Sequence, residues 1–417
     1  MNDTLLIAGG GQAGFSVASK LRKLGDDRPI TIICGEMFPP YQRPPLSKKY
    51  LLGATKKERL FFRSSNWYQE NNVGLRLEAT LGAISAKNKT VRLTTGEKLK
   101  YQKLVLSMGA RALTLPEAFG GHHKGVYSIR TLSDVDTIKH EFEPGRTLLV
   151  VGGGYVGLEA ASTAIKLGLR VIVFEREDRI LKRVAAAATS NYFRELHVSK
   201  GVQIRESTSL INLTEKEGRV NGAVLSSGES IGVDFVICGI GIKPNDELAK
   251  EAGLEVSDGI IVNNRCQTSD PDILAAGDCA SFLYQNNLIR LESVQNPIDQ
   301  REAVAETLFG IQSSYKPYPW FWSDQFDVKL QIAGLNNGYD QTVVRKGARE
   351  GGQSVWYFKK GTLIAVDAMN DATSYLIASR LIRNKVSPSA EIVVDSNYNP
   401  VSYTHLRAHE TSLHLVC

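Results

Sequence analysis

Cysteine is scarce and poorly spaced for chemistry. The chain carries five, Cys34, Cys238, Cys266, Cys279 and Cys417, and no two form a Cys-x-x-Cys or similar close pair. That spacing argues against a disulfide framework, a redox-active dithiol and a thiolate metal site. Cys34, Cys238 and Cys279 read as buried thiols in or beside strands. No apolar run approaches the roughly 20 residues needed to span a bilayer. The strand pattern begins directly after Met1-Asn2-Asp3 and leaves no room for a signal peptide, so the expected location is the cytoplasm. No dense block of Lys and Arg accompanies the net charge of +6, which speaks against a nucleic-acid partner and is compatible with an acidic protein partner drawn in by long-range field. At 42% apolar and 23% charged residues the composition is that of a globular protein, and 417 residues allow two to three domains.

What is present is one plan written twice. The first copy opens with the apolar run Leu5-Leu6-Ile7-Ala8, enters Gly9-Gly10-Gly11-Gln12-Ala13-Gly14, continues as a helix-like stretch from Phe15 to Leu24, and reaches a β-rich segment from Ile30 to Cys34 that ends at Glu36. The second opens with Leu148-Leu149-Val150-Val151, enters Gly152-Gly153-Gly154-Tyr155-Val156-Gly157, runs as a helix to Leu167, and reaches Val171 to Phe174, ending at Glu175. Each copy later contains a meander closing on a similar pattern, Leu104-Val105-Leu106-Ser107-Met108-Gly109 in one and Val236-Ile237-Cys238-Gly239-Ile240-Gly241 in the other.

The glycine spacing has a physical reading. The first glycine permits a tight strand-to-helix turn, the second lets a pyrophosphate approach the backbone, and the third allows close helix–strand packing. Free N–H groups and the helix dipole hold the anion. An acidic residue about 20 positions on accepts ribose hydroxyls, the role for which Glu36 and Glu175 are placed. One such motif is weak evidence; two, each between a strand and a helix and each followed by an acid, predict two dinucleotide sites. A third signal, Asp272-Ile273-Leu274-Ala275-Ala276-Gly277-Asp278, reads as a short strand ending in Gly-Asp before a segment expected to start a helix. Asp278 is then a ligand for a sugar-like hydroxyl chain or an N-cap.

Beyond these motifs stand Tyr41-Gln42-Arg43-Pro44-Pro45-Leu46-Ser47-Lys48, Arg130-Thr131-Leu132, Gly239-Ile240-Gly241 with Pro244-Asn245, and Pro319-Trp320-Phe321-Trp322-Ser323-Asp324-Gln325. On these blocks the chain resembles the two-dinucleotide-binding flavoprotein family, and more narrowly the ferredoxin reductases that serve bacterial oxygenases, over about residues 4–395. The resemblance implies an α/β fold with two Rossmann-like, glutathione-reductase-like dinucleotide-binding domains and a C-terminal α+β domain. The expected boundaries are 1–112 with 243–318 for FAD, 113–242 for NAD, 319–400 for the C-terminal interface domain, and an atypical tail at 401–417.

It also implies site residues. Gly9, Gly11, Ala13 and Gly14 would line the FAD pyrophosphate, with Glu36 on the adenosine ribose. Arg43, Lys48 and Arg130 would contact FAD, Leu81 would hold the adenine through backbone groups, Asp278 the ribityl chain, and Val294 the flavin edge. Gly152, Gly154, Tyr155, Gly157, Glu175 and Gly241 would serve NAD, and Glu292 the nicotinamide side. Lys48 and Glu159 would sit near flavin N5, and Trp322 against the ring. Read as residues alone, the alternative for Lys48–Glu159 is an ordinary partly buried ion pair and that for Trp322 a core aromatic. One departure is that the family's usual Ala-Thr-Gly is here Ser107-Met108-Gly109.

The implied activity is hydride transfer from NADH to FAD, then single-electron delivery to a small acidic [2Fe–2S] ferredoxin feeding a Rieske oxygenase or a cytochrome P450. Dithiol reductases and single-cysteine oxidases of this fold carry their cysteines after the first helix. The stretch Phe38 to Tyr50 has none, which disfavours chemistry through sulfur. The alternatives are an NADH-dependent reductase of a quinone or small organic radical, and an NADH-binding redox sensor of the apoptosis-inducing-factor type. Glu175 and Glu177 favour NAD over NADP, against the neighbouring Arg176. Arg345, Lys346, Arg349, Arg383 and Lys385 are candidates for the ferredoxin-docking face, or simply solvated charges. No metal is expected: in the tail, His405 and His409 have helical spacing, but no carboxylate or cysteine completes a convincing ligand set. The tail reads as a disordered end or a stretch foreign to the true frame. A monomer or a homodimer is expected.

Overall fold

The computed structural model describes residues 4–312 and 314–395; the expectations for the tail, with His405, His409, His414 and Cys417, lie outside them. The described residues form two compact units, one of residues 4–45, 53–111 and 242–317, the other of residues 46–52, 112–241 and 318–395.

In the first unit the strand Leu5–Ala8 lies between Ile30–Ile33 and Lys103–Leu106, with Val73–Arg76 and Ile273–Ala275 outermost, all parallel. Leu5, Leu6, Ile7 and Ala8 are all buried, as the central strand of a sheet covered on both faces requires. The crossover from the first strand to the second is the helix Gln12–Lys23, the usual way of joining parallel neighbours. An antiparallel meander, Leu81–Ser85, Thr90–Leu93 and Lys98–Lys100, precedes the fourth strand.

The second unit repeats the arrangement. Thr147–Val151 lies between Arg170–Phe174 and Phe235–Cys238, with Gln203–Arg205 and Val126–Ser128 outermost, again all parallel. The crossover helix is Tyr155–Lys166 and the meander is Leu210–Lys216, Arg219–Leu225 and Ser230–Gly232. The same unit holds a five-stranded antiparallel sheet with spatial order Trp320–Gln325, Val328–Gly334, Thr362–Met369, Gln353–Lys359, Gln341–Lys346. The helix Ala372–Asn384 packs Ile377, Ala378 and Leu381 against it. Leu158, Ile180 and Phe193 join Val328, Leu330, Tyr357 and Met369 in one apolar cluster, which couples this sheet to the second nucleotide layer. The architecture is thus two Rossmann-like layers and a C-terminal α+β region.

Two expectations are corrected. No helix follows Gly277-Asp278. Ala280–Tyr284 is a strand, paired in parallel with Ile260–Val262 and antiparallel with Asn287–Arg290. Sheet pairing claims the segment, the helix Gln295–Leu308 starts later, and Asp278 is not an N-cap. Arg345 is not a surface charge: it is 5% exposed. It shares the inward face of Gln341–Lys346 with Val343, and its guanidinium donates to the Val393 and Asp395 carbonyls at 2.9 and 2.6 Å. Lys346, Arg349, Arg383 and Lys385 are exposed.

Candidate active site

In the first unit, Gly9 ends the central strand with φ +118°, and a Cβ there would lie 2.1 Å from the Ser107 carbonyl oxygen. A Cβ on Gly14 would meet the Gly9 oxygen at 2.1 Å. A Cβ on Gly11 meets nothing within 4 Å. The outer glycines are required by packing, whereas the middle one faces open space. Gly11 is also the N-cap of Gln12–Lys23 and no side chain caps that helix, so its leading N–H groups keep their donor capacity for an anion. Ala13 is buried in the first turn, where Gly277 approaches so closely that a Cβ on Gly277 would be 3.1 Å from that of Ala13.

Glu36 follows the second strand, and its carboxylate accepts from Tyr41 Oη and Arg43 Nη2, each at 2.6 Å. Leu81 is buried where the Leu81–Ser85 ladder bulges. Asp278 is half-buried beside Gly277, whose N–H donates to Gln300 Oε1 at 2.7 Å. Val294 is the N-cap of Gln295–Leu308, so the helix start expected after Asp278 falls there instead. Glu292 is exposed and pairs with Arg290 at 2.8 Å. The turn at Ser107-Met108-Gly109 holds without the family's threonine: Ser107 Oγ lies 3.0 Å from the Ala8 and Gly9 carbonyls, and Asn245 Nδ2 donates to Met108 O at 2.8 Å.

The second unit reproduces the turn. Gly152 has φ +105°, with a Cβ 2.5 Å from Gly239 O; a Cβ on Gly157 would lie 2.4 Å from Gly152 O. Gly154 faces open space, since its nearest neighbour would be Gly239 O at 3.9 Å. Gly154 caps Tyr155–Lys166, again with no side-chain cap. Here the acid is held by backbone. Glu175 Oε2 accepts from Gly153 N–H at 2.9 Å and Oε1 from Glu177 N–H at 2.8 Å. The Tyr155 ring lies 4.9 Å from Phe321, and its buried hydroxyl has no hydrogen-bond partner among the described residues. Gly241 has φ +113°. Arg130 precedes a capping box formed by Thr131 and Asp134 and donates its N–H to Asp134 at 3.0 Å.

Lys48 and Glu159 meet in this unit, with Nζ 2.8 Å from Oε2 and side-chain exposures of 17% and 5%. Glu159 sits in the second turn of Tyr155–Lys166, with Thr163 one turn further along the same face. Thr163 Oγ1 donates to Ser47 O at 2.9 Å and anchors the segment carrying Lys48. Ser47 Oγ and Ser323 Oγ also donate to Glu159, at 2.6 and 2.7 Å. Trp322 is half-buried beside Trp320, centroids 5.4 Å apart. An ammonium kept at a fixed point beside a carboxylate with three donors around it, Lys48 itself, Ser47 and Ser323, is a preorganised positive charge.

Sequence reasoning missed Tyr41, Ser47, Ser323 and Gln325. Tyr41 and Ser47 lie in a block already singled out by its form. Ser323 and Gln325 also lie in a singled-out block, Pro319 to Gln325; both are fully buried with the exposed Asp324 between them, so the inward face of that strand is polar. All four described cysteines are buried and unpaired. Burial raises the Cys34 and Cys266 thiols to about 12 and the Cys238 and Cys279 thiols to about 11, far from the depressed values of reactive thiolates.

The donor sets fit two nucleotides. Each unit offers an uncapped helix start, a middle glycine facing open space and a carboxylate at the next strand end. The chain matches the pyridine nucleotide-disulphide oxidoreductase family over residues 3–300 and the reductase C-terminal family over residues 320–399. It is 36% identical over 402 residues to putidaredoxin reductase of Pseudomonas putida, covering 95% of each chain. It is 36% identical over 398 residues to rhodocoxin reductase of Rhodococcus erythropolis, covering 95% of this chain and 93% of that protein. The reductase chain of a covalent putidaredoxin reductase–putidaredoxin complex superposes with a TM-score of 0.94 at 35% identity, covering 98% of this chain and 99% of that one.

Proposed function

The chain belongs to the pyridine nucleotide-disulphide oxidoreductase family, and from that premise we propose that it is an FAD-dependent NADH:ferredoxin reductase delivering single electrons to a [2Fe–2S] ferredoxin of an oxygenase or cytochrome P450 system. The observation that carries the two-nucleotide reading is the pair of glycine turns whose middle residues, Gly11 and Gly154, face open space. The names of the relatives supply the electron acceptor: putidaredoxin reductase was captured with putidaredoxin.

The chemistry supplied by bound FAD is the exchange between hydride and single electrons. The chain's own residues bind and orient. In this reading residues 1–112 and 243–318 hold FAD, 113–242 hold NAD, and 319–400 form the interface domain. Gly9, Gly11, Ala13 and Gly14 receive the FAD pyrophosphate and Glu36 its ribose. Arg43, Leu81, Arg130, Asp278 and Val294 complete that site. Gly152, Gly154, Tyr155, Gly157, Gly241 and Glu175 receive NADH, with Glu292 on the nicotinamide side. Lys48 would supply a cation for negative charge on the ring, Glu159 would hold that cation, and Trp322 would lie against the ring.

Glu175 repels a 2′-phosphate. Arg176, the neighbour suited to binding one, is 81% exposed and lies 3.5 Å from Glu177. Lys346, Arg349, Arg383 and Lys385 are proposed for the acidic ferredoxin. Among the described residues no helix is long and apolar enough to cross a membrane, and the reading places the protein in the cytoplasm.

Stopped-flow spectroscopy tests the whole reading. NADH should bleach the flavin absorbance of the purified protein, NADPH should do so poorly, and an oxidised [2Fe–2S] ferredoxin should restore it within turnover time. A colourless protein that leaves NADH untouched would overturn the reading. A long-lived NADH-reduced complex indifferent to ferredoxins would replace it with a sensor.

A further inference from the structure

Glu159 ends a longer chain of buried hydrogen bonds than an ion pair needs. Its Oε1 accepts from Ser323 Oγ at 2.7 Å. Gln325 Nε2 donates to Ser323 Oγ at 3.2 Å, and Gln325 Oε1 lies 2.8 Å from His197 Nε2. Ser323, Gln325 and His197 are each 0% exposed. The chain therefore runs through the interior of one unit, from the helix Ala187–Ser199 through the strand Trp320–Gln325 to the helix Tyr155–Lys166.

The group at the end sets the direction of every bond. A carboxylate paired with Lys48 can only accept. The Ser323 hydroxyl has one proton, and it goes to Glu159. Ser323 must then accept from Gln325, which can donate only through its amide nitrogen. The Gln325 carbonyl is thereby turned to His197, whose Nε2 must carry the hydrogen. His197 Nδ1 is buried with no partner among the described residues. A second proton would have no acceptor there, and burial holds this imidazole down at about 4. An amide in the middle cannot pass a proton along, so the chain orients groups and does not conduct protons.

We propose that Ser323, Gln325 and His197 are positioning residues for the Lys48–Glu159 pair, pinning one carboxylate oxygen of Glu159 so that the other is aimed at the Lys48 ammonium. This rests on the reading that Lys48 serves a bound flavin. Polar filling of a core would satisfy these atoms with the same histidine tautomer, but it would not tie Ser323 to the flavin's electrochemistry.

The first measurement is ¹⁵N NMR of the unaltered holoprotein labelled at histidine. One imidazole should be neutral with its proton on Nε2 from pH 8 down to about 5. A His197 that is protonated at pH 7, or carries its proton on Nδ1, overturns the proposal whether or not NADH reduces the protein; absence of NADH reduction bears instead on the proposed function. The second measurement uses Ser323→Ala, which deletes the donor to Glu159. Flavin reduction at saturating NADH should slow by about tenfold, as expected for one lost hydrogen bond to a charged group. The midpoint potential should move negative, NADH affinity should stay within about twofold, and Ser323→Thr should restore rate and potential. A Ser323→Ala protein that retains FAD at the parent's rate and potential overturns the proposal. If that variant loses its flavin, a protonated or Nδ1–H His197 in the unaltered protein still overturns the proposal.

Discussion

The two nucleotide turns share a sheet order, a glycine spacing and a helix of 12 residues, yet they hold their acids by different means. Glu36 in the first is gripped by the side chains of Tyr41 and Arg43, one of them a cation. Glu175 in the second is gripped by two backbone N–H groups, and among the described residues no cation pairs with it. The first carboxylate is therefore neutralised before any ligand arrives. The second keeps its full charge while its position is fixed by main chain. A neutralised acid accepts ribose hydroxyls with little effect on nearby phosphate. A bare one rejects a 2′-phosphate, so a backbone grip suits a site that must discriminate between two otherwise identical dinucleotides.

The largest effects should come from the glycines. Gly14→Ala places a Cβ 2.1 Å from a backbone oxygen and Gly157→Ala does so at 2.4 Å. Neither oxygen can move without distorting its turn, so each variant should weaken its own nucleotide by at least a hundredfold, about 3 kcal/mol, in the upper range of overpacking costs. Gly14→Ala should purify without flavin colour; Gly157→Ala should keep the colour and lose reduction by NADH. Gly11→Ala and Gly154→Ala sharpen the contrast. Neither has a steric neighbour, so melting of the nucleotide-free protein should shift little while nucleotide affinity falls. Equal loss of both nucleotides in any one variant would break the assignment of one turn to each.

Acid probes the unit of the second turn by itself, because the helix of that turn carries Glu159, whose hydrogen-bond chain ends at His197. His197 falls from its ordinary 6.5 to about 4 through burial. The unfolded chain then binds the proton more readily, so its contribution to stability is complete above pH 6.5 and is lost as pH falls toward 4, about 3 kcal/mol in all. Asp367 runs the other way. Burial raises it from 3.8 to about 6 against the donors Tyr357 and Thr189. Its folded form binds the proton more readily, so stability rises as pH falls from 6 toward 3.8, again by about 3 kcal/mol. The two slopes oppose each other between pH 6 and 4 and hide one another in the parent protein. Asp367→Asn should expose a loss of stability with acid, and His197→Gln a gain, both read from thermal melts across pH 4 to 7. Parallel slopes in the two variants would show that these groups do not carry the balance.

What was legible in the sequence was local. Each strand, glycine turn and following acid lies within about thirty contiguous residues, so spacing alone carries the geometry. Lys48, Glu159, His197 and Ser323 come from four separate segments, and only tertiary packing puts their atoms in reach. The segment after Asp278 was misread because only one of its two partners, the hairpin strand Asn287–Arg290, is local; the other, Ile260–Val262, is not announced by local pattern. Arg345 was misread as solvated because a charge usually is. Its alternation with Val343 was visible, but which face of that strand is buried depends on the helix Ala390–Val394 lying near it.

The smallest predicted effects test the acids themselves. Glu175→Ala removes one charge-assisted acceptor of ribose hydroxyls and should weaken NADH by about ten- to a hundredfold, leave flavin content unchanged, and narrow the gap between NADH and NADPH. Glu36→Ala should cost FAD less than Glu175→Ala costs NADH, because Arg43 already neutralises that carboxylate and the freed guanidinium remains beside the site to attract phosphate. Arg176→Ala should change the KM for NADH by less than about twofold, since exposed ion pairs such as its contact with Glu177 are worth little. It should weaken whatever residual NADPH use remains. If Arg176→Ala instead rivalled Glu175→Ala, the arginine would be reading the ribose, and discrimination at the second turn would rest on a mobile side chain, not on a carboxylate fixed by the backbone.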